Sequence, residues 1–301
     1  MEQLKTHKVV CFGEVLWDIL PSGPVPGGAP MNVAYHLHKQ SKNPAVITAI
    51  GSDDEGKKLV DIFSSYGMDT SFFQEDSDHC TGKVYAQPNE YNEVVYEIVN
   101  PVAWDFIKWE DNFTALVEGA EYFVFGSLAA RNAVSQKTLF RLLEIARNTV
   151  LDINLRPPHY NRRIVEELLS KAGFLKLNLA ELELITGWFS KYNTISDRVK
   201  SIADKFKIQN MVVTMGGDGA VLYYNGNQYE HKGFHVDVVD TVGSGDAFLA
   251  GLLSRFLDNT SPVEALEFAS GLGAFIATQA GACPKYEVSD VYNLMKRKIQ
   301  D

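Results

Sequence analysis

The sequence predicts an α/β fold: a mostly parallel sheet with helices on both faces, and a small β-hairpin set into it. Three observations carry this reading. Short apolar runs alternate with amphipathic stretches almost from end to end, which is the rhythm of βα units. Residues 81–99 break that rhythm and read as two strands around a turn-rich centre. No repeat or low-complexity linker divides the 301 residues, so one domain (1–301) is expected, with a lid inserted at roughly 79–108.

In chain order, the strand candidates are residues 9–12, 45–50, 122–125, 149–153, 174–177, 211–215 and 220–224, each a short apolar run. Between them, apolar residues recur at helical spacing over 30–40, 56–66, 135–147, 164–171, 196–206, 246–258, 262–279 and 289–299. Pro30 suits the first turn of its helix, where a missing N–H costs nothing. The hairpin strands are 81–87 and 93–99, joined through Pro88-Asn89-Glu90-Tyr91-Asn92. Its apolar residues are too few to hold a separate domain, so it reads as a flap that closes over a site or pairs with a second subunit. In sheets of this class, ligands sit at the carboxyl ends of the strands.

Composition narrows the function. With 46% apolar and 22% charged residues, the chain can bury a core without disulfides or a structural metal. A net charge of −10 argues against nucleic acid or an anionic membrane as partner, but not against a phosphate held by backbone amides and Mg²⁺. Cys11, Cys80 and Cys283 form no Cys-x-x-Cys pair and fit a reducing cytoplasm. The polar N-terminus lacks the apolar core of a signal peptide, and the apolar stretch at 248–257 carries Arg255 and is too short to span a bilayer. The chain reads as cytoplasmic.

The segment richest in chemistry is Asp240-Thr241-Val242-Gly243-Ser244-Gly245-Asp246-Ala247-Phe248, between a strand-like run at 234–239 and a strong helix. A Gly-x-Gly turn at that junction lets several backbone N–H groups point into one space. The helix adds its unpaired amides and roughly half a positive charge. Gly243, Ser244 and Gly245 therefore form an anion hole fit for a transferring phosphate. Asp246 stands at its mouth, where the dipole favours a carboxylate able to take a proton from an incoming hydroxyl. A lone Asp at this position would more often cap the helix; the two glycines and the preceding Asp-Thr favour catalysis.

A second glycine cluster, Gly27-Gly28-Ala29-Pro30-Met31-Asn32, lets backbone approach a ligand. Asn32 offers both a donor and an acceptor to sugar hydroxyls. By contrast, Gly51-Ser52-Asp53-Asp54-Glu55-Gly56-Lys57-Lys58 only mimics a P-loop. It has Lys where Ser or Thr would bind Mg²⁺, and three acids where phosphate would sit, so it reads as a helix N-terminus. His36-x-His38, His231 and His235 have no carboxylate or thiolate at metal-ligand spacing and read as solvated positions.

Gly28-Ala29-Pro30-x-Asn32 near the start, and Asp240-Thr241-x-Gly243-x-Gly245-Asp246-Ala247-Phe248 near the end, resemble the ribokinase-like (pfkB) carbohydrate kinases. Asn178-x-x-Glu181 and Val213-Thr214-x-Gly216-x-x-Gly219-Ala220 between them, and Gly281-Ala282-x-Pro284 after them, fall in the family's order. The resemblance spans essentially the whole chain. It implies a three-layer α/β/α sandwich with a β-lid, ATP and Mg²⁺ as cofactors, and Asp246 as base. It further implies that Asn178 and Glu181 organise Mg²⁺ and phosphates through water, and that Thr214, Gly216 and Gly219 line the nucleotide groove. Asp240 and the carbonyl of Val242 resemble the family's monovalent-cation (K⁺) loop, although Cys283 departs there from the usual small residue.

Within the family, Gly13-Glu14-Val15-Leu16-Trp17-Asp18, Pro101-Val102-Ala103-Trp104-Asp105, Gly126-Ser127-Leu128-Ala129-x-Arg131 and Asp152-x-Asn154-x-Arg156-Pro157 resemble fructokinases. Asp18 follows the first strand, and a carboxylate accepts from two neighbouring hydroxyls of a sugar. Asp18, Gly28 and Asn32 are the expected sugar contacts, with Arg156 available for sugar or phosphate. The expected reaction is D-fructose with ATP to fructose 6-phosphate and ADP. The alternative is a 2-keto-3-deoxygluconate kinase, whose acidic substrate Asp18 would repel. A dinucleotide oxidoreductase would need Gly-x-Gly-x-x-Gly after the first strand, where Gly13-Glu14-Val15 stands instead. The exposed edge of the hairpin favours a homodimer paired through the lid.

Overall fold

The computed structural model describes residues 7–20, 23–88, 94–189, 191 and 194–297. The βα rhythm is realised in two compact units: Met1–Phe123 with Ala129–Arg147, and Val124–Leu128 with Asn148–Asp301.

The first unit contains β1 (Val9–Phe12), β2 (Leu16–Leu20), β3 (Gly23–Gly27), α1 (Ala29–Lys39), β4 (Ala45–Gly51), α2 (Asp54–Ser65), β5 (Phe73–Asp76), β6 (Gly82–Pro88), β7 (Val94–Ile98), α3 (Asn112–Gly119) and α4 (Ala133–Leu143). Strands β1, β4 and β5 pair in parallel in that order. Parallel pairing buries both faces, and all seven residues of β4 are buried. Phe12, Tyr35, Leu37, Ile47, Ile50, Leu59 and Phe63 are fully buried around it, each worth about 1.5–3 kcal/mol of removal from water.

Helix α2 starts in the acidic stretch that imitates a P-loop. Asp53 caps it, accepting from the Gly56 N–H at 2.8 Å. The Thr81 N–H and hydroxyl donate to the same carboxylate at 2.8 and 2.6 Å, while Thr81 Oγ1 accepts from the Gly51 N–H at 3.0 Å. Burial works to raise the Asp53 pKa, but the bonds from Thr81, Gly56 and Glu55 outweigh it and hold the carboxyl below its ordinary range.

The hairpin is larger than the sequence suggests. Strands β6 and β7 pair antiparallel, but β2 joins β6 in parallel and β3 joins β2, giving a four-stranded sheet in the order β3-β2-β6-β7. Residues 89–92 of its expected turn lie outside the described residues. Asp18 therefore does not simply follow the first strand of the main sheet; it sits in β2, opposite Val25 and Val84. The run holding β2 and β3 is short, carries Pro24 and Pro26, and has no clear alternation, which hides it from pattern reading.

Arg131 is fixed within this unit. Its Nε and Nη2 donate to the two oxygens of Asp105 at 2.6 and 2.7 Å, and Nη2 also donates to the Val99 carbonyl at 2.8 Å. Its guanidinium lies 3.9 Å from the centre of the Trp104 ring. Both partners are almost fully buried. Arg131 thus ties the chain leaving β7 to the segment that contains Trp104.

Strand β8 (Tyr122–Gly126) is divided between the units. The second unit adds β9 (Thr149–Asp152), α5 (Arg162–Leu169), β10 (Phe174–Asn178), α6 (Leu179–Gly187), α7 (Ile195–Phe206), β11 (Asn210–Thr214), β12 (Ala220–Tyr224), β13 (Asn227–His231), α8 (Ser244–Leu257), α9 (Pro262–Ala277) and α10 (Val288–Arg297). Its strands run β13-β12-β11-β10-β9-β8, with β9, β10 and β11 parallel and the β12–β13 hairpin antiparallel at one edge. The structure is thus α/β with a mostly parallel sheet.

The expected strand at 234–239 is absent. That run has no ladder partner; Val239 and Asp240 instead donate backbone N–H groups to Ala277 O at the end of α9, and Val238 and Val239 stay exposed. Helix α6 was not expected, because Leu179, Leu182, Leu184 and Ile185 spread over more than one face and blur the helical period. Among the described residues, no helix is long and apolar enough to cross a membrane.

Arg131→Met would leave the Asp105 carboxylate buried without its partner. The expected loss is about 3–5 kcal/mol in urea unfolding; a loss below about 1 kcal/mol would show that the ion pair is dispensable.

Candidate active site

In the second unit, helix α8 begins at a residue that must be glycine. Gly243 is its N-cap with φ 75°, in the left-handed region. A Cβ there would stand 2.5 Å from the Ala282 Cβ and 2.7 Å from its Cα, closer than carbon atoms pack. Asp240 holds the two loops together: Oδ1 accepts from the Val242 N–H at 3.0 Å and Oδ2 from the Gly281 N–H at 3.1 Å.

The turn's donors are not equivalent. The Ser244 N–H donates to the Thr241 carbonyl at 3.2 Å, and its hydroxyl to the Gly273 carbonyl at 2.8 Å. Ser244 thus braces the turn, and its amide is already taken. The amides of Gly243 and Gly245 have no acceptor among the described residues. Asp246 is the third residue of α8 and half-buried.

Thr241, Ser244 and Gly245 share a cavity of about 270 Å³ with Thr214, Gly216 and Gly219. Thr214 ends β11, and both glycines have positive φ, at 59° and 92°. A Cβ on Gly219 would collide with the His231 carbonyl, so this rim also depends on glycine. Opposite the glycines the walls are largely apolar, with Phe248, Ala274 and Ala277 from α8 and α9. The buried Ser270 hydroxyl faces the same cavity and has no hydrogen-bond partner among the described residues. Asp246, Asn178 and Glu181 do not line this cavity.

Asn178 and Glu181 close a capping box on α6. The Asn178 side chain accepts from the Glu181 N–H at 2.9 Å, and the Glu181 carboxylate from the Asn178 N–H at 2.8 Å. The other Glu181 oxygen accepts from the Leu155 N–H at 2.8 Å. Burial pushes Glu181 above the usual carboxylate range, with the charge of Asp152 adding to it, against the opposing effect of Lys176 and the two amides. Among the described residues, no three His, Cys, Asp or Glu side chains converge as a metal site.

Sequence reasoning missed one charged pair. Lys176 sits in the middle of β10 between fully buried Leu175 and Leu177, and its ammonium donates to both oxygens of Asp152 at 2.8 and 2.7 Å. A lysine inside an apolar strand was the available signal. Arg156, expected as a ligand contact, is exposed on the loop after β9.

The first unit groups Asp18, Gly28 and Asn32. Gly28 is the N-cap of α1 with φ 116°, and a Cβ there would collide with the Glu14 carbonyl. The Asn32 N–H donates to Gly28 O at 2.8 Å, and the Asn32 side chain is 4% exposed. Glu14, also buried, accepts from the Ala29 N–H at 3.3 Å. The Asp18 carboxylate packs onto Gly27, where any Cβ would strike it.

The profile of the pfkB family carbohydrate kinases matches residues 23–288 of this chain. Over 297 residues it is 28% identical to the fructokinase of Escherichia coli, covering 91% of this chain and 94% of that protein. It is 27% identical over 305 residues to probable fructokinase-2 of Arabidopsis thaliana, covering 92% of each. Among solved structures, fructokinase from Xylella fastidiosa with bound ATP superposes with TM-score 0.86 at 24% identity, covering 97% of this chain and 99% of that one. Fructokinase from Vibrio cholerae in its fructose, ADP and calcium ion bound form gives TM-score 0.83 at 25% identity, covering 96% and 99%.

Gly243→Ala should destabilise the chain by about 2–5 kcal/mol in urea unfolding, the sum of a left-handed alanine and an overpacked contact. Adding Ala282→Gly should recover only a fraction of the loss, because the backbone Cα at 282 still stands 2.7 Å from the new Cβ. Equal stability of Gly243→Ala and the parent would show that the turn has room to spare.

Proposed function

The chain belongs to the pfkB family of carbohydrate kinases, and on that premise we propose that it is a fructokinase, converting D-fructose and ATP to fructose 6-phosphate and ADP. The observation that carries this reading is the likeness, over nine-tenths of the chain, to proteins named fructokinases, one of them solved with fructose and ADP.

The residues support it chemically. We assign the sugar to Asp18, Gly28 and Asn32: a carboxylate accepts from two vicinal hydroxyls, a buried amide both donates and accepts, and a glycine lets backbone come close. The four-stranded sheet that carries Asp18 is assigned the role of a lid that excludes water from the bound sugar. The nucleotide is assigned to the cavity rimmed by Thr214, Gly216 and Gly219. Its apolar walls suit a base, the unpartnered Ser270 hydroxyl offers a polar contact, and the free amides of Gly243 and Gly245 suit an anion.

Asp246 takes the proton of the attacking hydroxyl, while the amides of Gly243 and Gly245 hold charge on the transferring group. Mg²⁺ supplies charge neutralisation at the phosphates when bound. Asn178 and Glu181 are the residues assigned to it; with the Glu181 oxygens already accepting amides, they fit action through its water shell better than direct ligation. Asp240 and the Val242 carbonyl are assigned to K⁺; each Asp240 oxygen accepts one N–H and keeps a lone pair for a cation. Arg156 is kept as a contact that reaches sugar or phosphate from an exposed loop. We further propose one kinase domain working in the cytoplasm, where Cys11, Cys80 and Cys283 remain thiols, and a homodimer paired through the edges of the lid sheet.

Asp246→Asn should lower kcat by at least about 10²-fold and leave the sugar KM within about threefold; near-normal kcat would remove Asp246 from the role of base. In a coupled ADP-release assay across fructose, ribose, glucose, adenosine and ketodeoxygluconate, fructose should lead in kcat/KM by at least about tenfold. Strong ketodeoxygluconate turnover with none on fructose would overturn the substrate assignment.

A further inference from the structure

Lys176 and Asp152 form a buried ion pair to which neither the sugar trio nor the base assigns a task. They stand opposite each other in the parallel register of β10 and β9, with side chains 9% and 6% exposed. Such a pair is an inefficient way to stabilise a sheet. Removing both charges from water costs about as much as their attraction returns, and apolar residues of similar size usually serve as well.

Its position suggests another reason for a charge. The Lys176 Nζ lies 3.4 Å from where a Cβ on Gly245 would be, against the second residue of α8. A helix N-terminus already carries positive partial charge and disfavours a cation nearby. An ammonium there stacks positive on positive, which makes sense where an anion is to be received. Lys176 also interacts electrostatically with Asp246 and Glu181 as well as Asp152. Burial works against its charge, but these three carboxylates outweigh that penalty and hold the ammonium above its ordinary range. Three acids with no cation among them would repel a phosphate chain; with Lys176, part of that repulsion is offset where the glycine amides present themselves.

We propose that Lys176 is a positioning residue for phosphoryl transfer. Gripped by Asp152, its ammonium fixes a positive charge behind the Gly243–Gly245 turn and beside Asp246, so that the turn can hold an anionic phosphoryl group next to a carboxylate. This rests on the reading of Asp246 as base. Asp152 serves as the clamp that stops the lysine from swinging towards Asp246 or Glu181.

The test separates a charge needed for turnover from a charge needed only for pairing. Lys176→Met and the double variant D152N/K176M are compared with the parent for thermal midpoint, kcat and both KM values, on whichever sugar the parent turns over fastest. K176M leaves Asp152 unpaired and should lower both the midpoint and kcat, the latter by at least about tenfold, with the sugar KM within about threefold. D152N/K176M removes both charges together and should recover most of the midpoint while kcat stays low. Recovery of parental kcat in the double variant would overturn the proposal, because Lys176 would then serve only to neutralise Asp152. A rise in sugar KM at unchanged kcat would overturn it too. Should K176M fail to fold, the double variant alone decides. Asp246→Asn assayed alongside keeps the outcomes apart: parental turnover there sinks the reading of the base, whereas rescue in D152N/K176M sinks this one.

Discussion

The chemistry of the second unit depends on one close approach of backbone to backbone, Gly243 against Ala282. Because no side chain fits between them, the loop before α8 can turn through a left-handed residue and start the helix with its first amides facing outward. Asp240 fastens both sides of that approach through the amides of Val242 and Gly281, and Ser244 pins the first helical residue to Thr241 and Gly273. Four hydrogen bonds, two to Asp240 and two from Ser244, thus hold two amides that have no acceptor among the described residues. A turn built this way is rigid before any ligand arrives, so its role as the proposed anion site would need little reorganisation.

Charge is distributed unevenly to the same end. The chain as a whole carries −10, spread over exposed acids. Around the glycine turn the balance is local: a buried ammonium lies against Gly245 and interacts with Asp152, Asp246 and Glu181. Net charge therefore says little about whether this protein can receive a phosphate. What decides is which groups are buried together, since the interior screens them far less than water does.

Much of the frame was legible because parallel strands buried on both faces must be apolar throughout, so 45–51 announces itself. The glycine turn was legible because Gly243 and Gly245 stand where a strong helical period begins, a place where few purposes require paired glycines. Elements that escaped did so for physical reasons. Helix α6 is apolar on several sides and has no period to detect. The 234–239 run has the residues of a strand but is held by the end of α9, a partner that lies far off in sequence. Strand β2 gains its place from β6, more than fifty residues away, so local pattern could not reveal the four-stranded sheet that carries Asp18. Which turn amides remain open is a fact of three-dimensional neighbourhood with no local trace, and the lysine inside apolar β10 marks a buried charge without naming Asp152 as its partner.

The contact between Asp18 and Gly27 carries an evolutionary corollary. The carboxylate fills the space that any side chain at 27 would need, so the two positions share one small volume across neighbouring strands. A lineage that shortened Asp18 would release position 27 to vary, and one that enlarged position 27 would have to turn the acid aside or give it up. Change at either site is therefore coupled to the other, and would be expected to leave a correlated double change in the descendants' sequences.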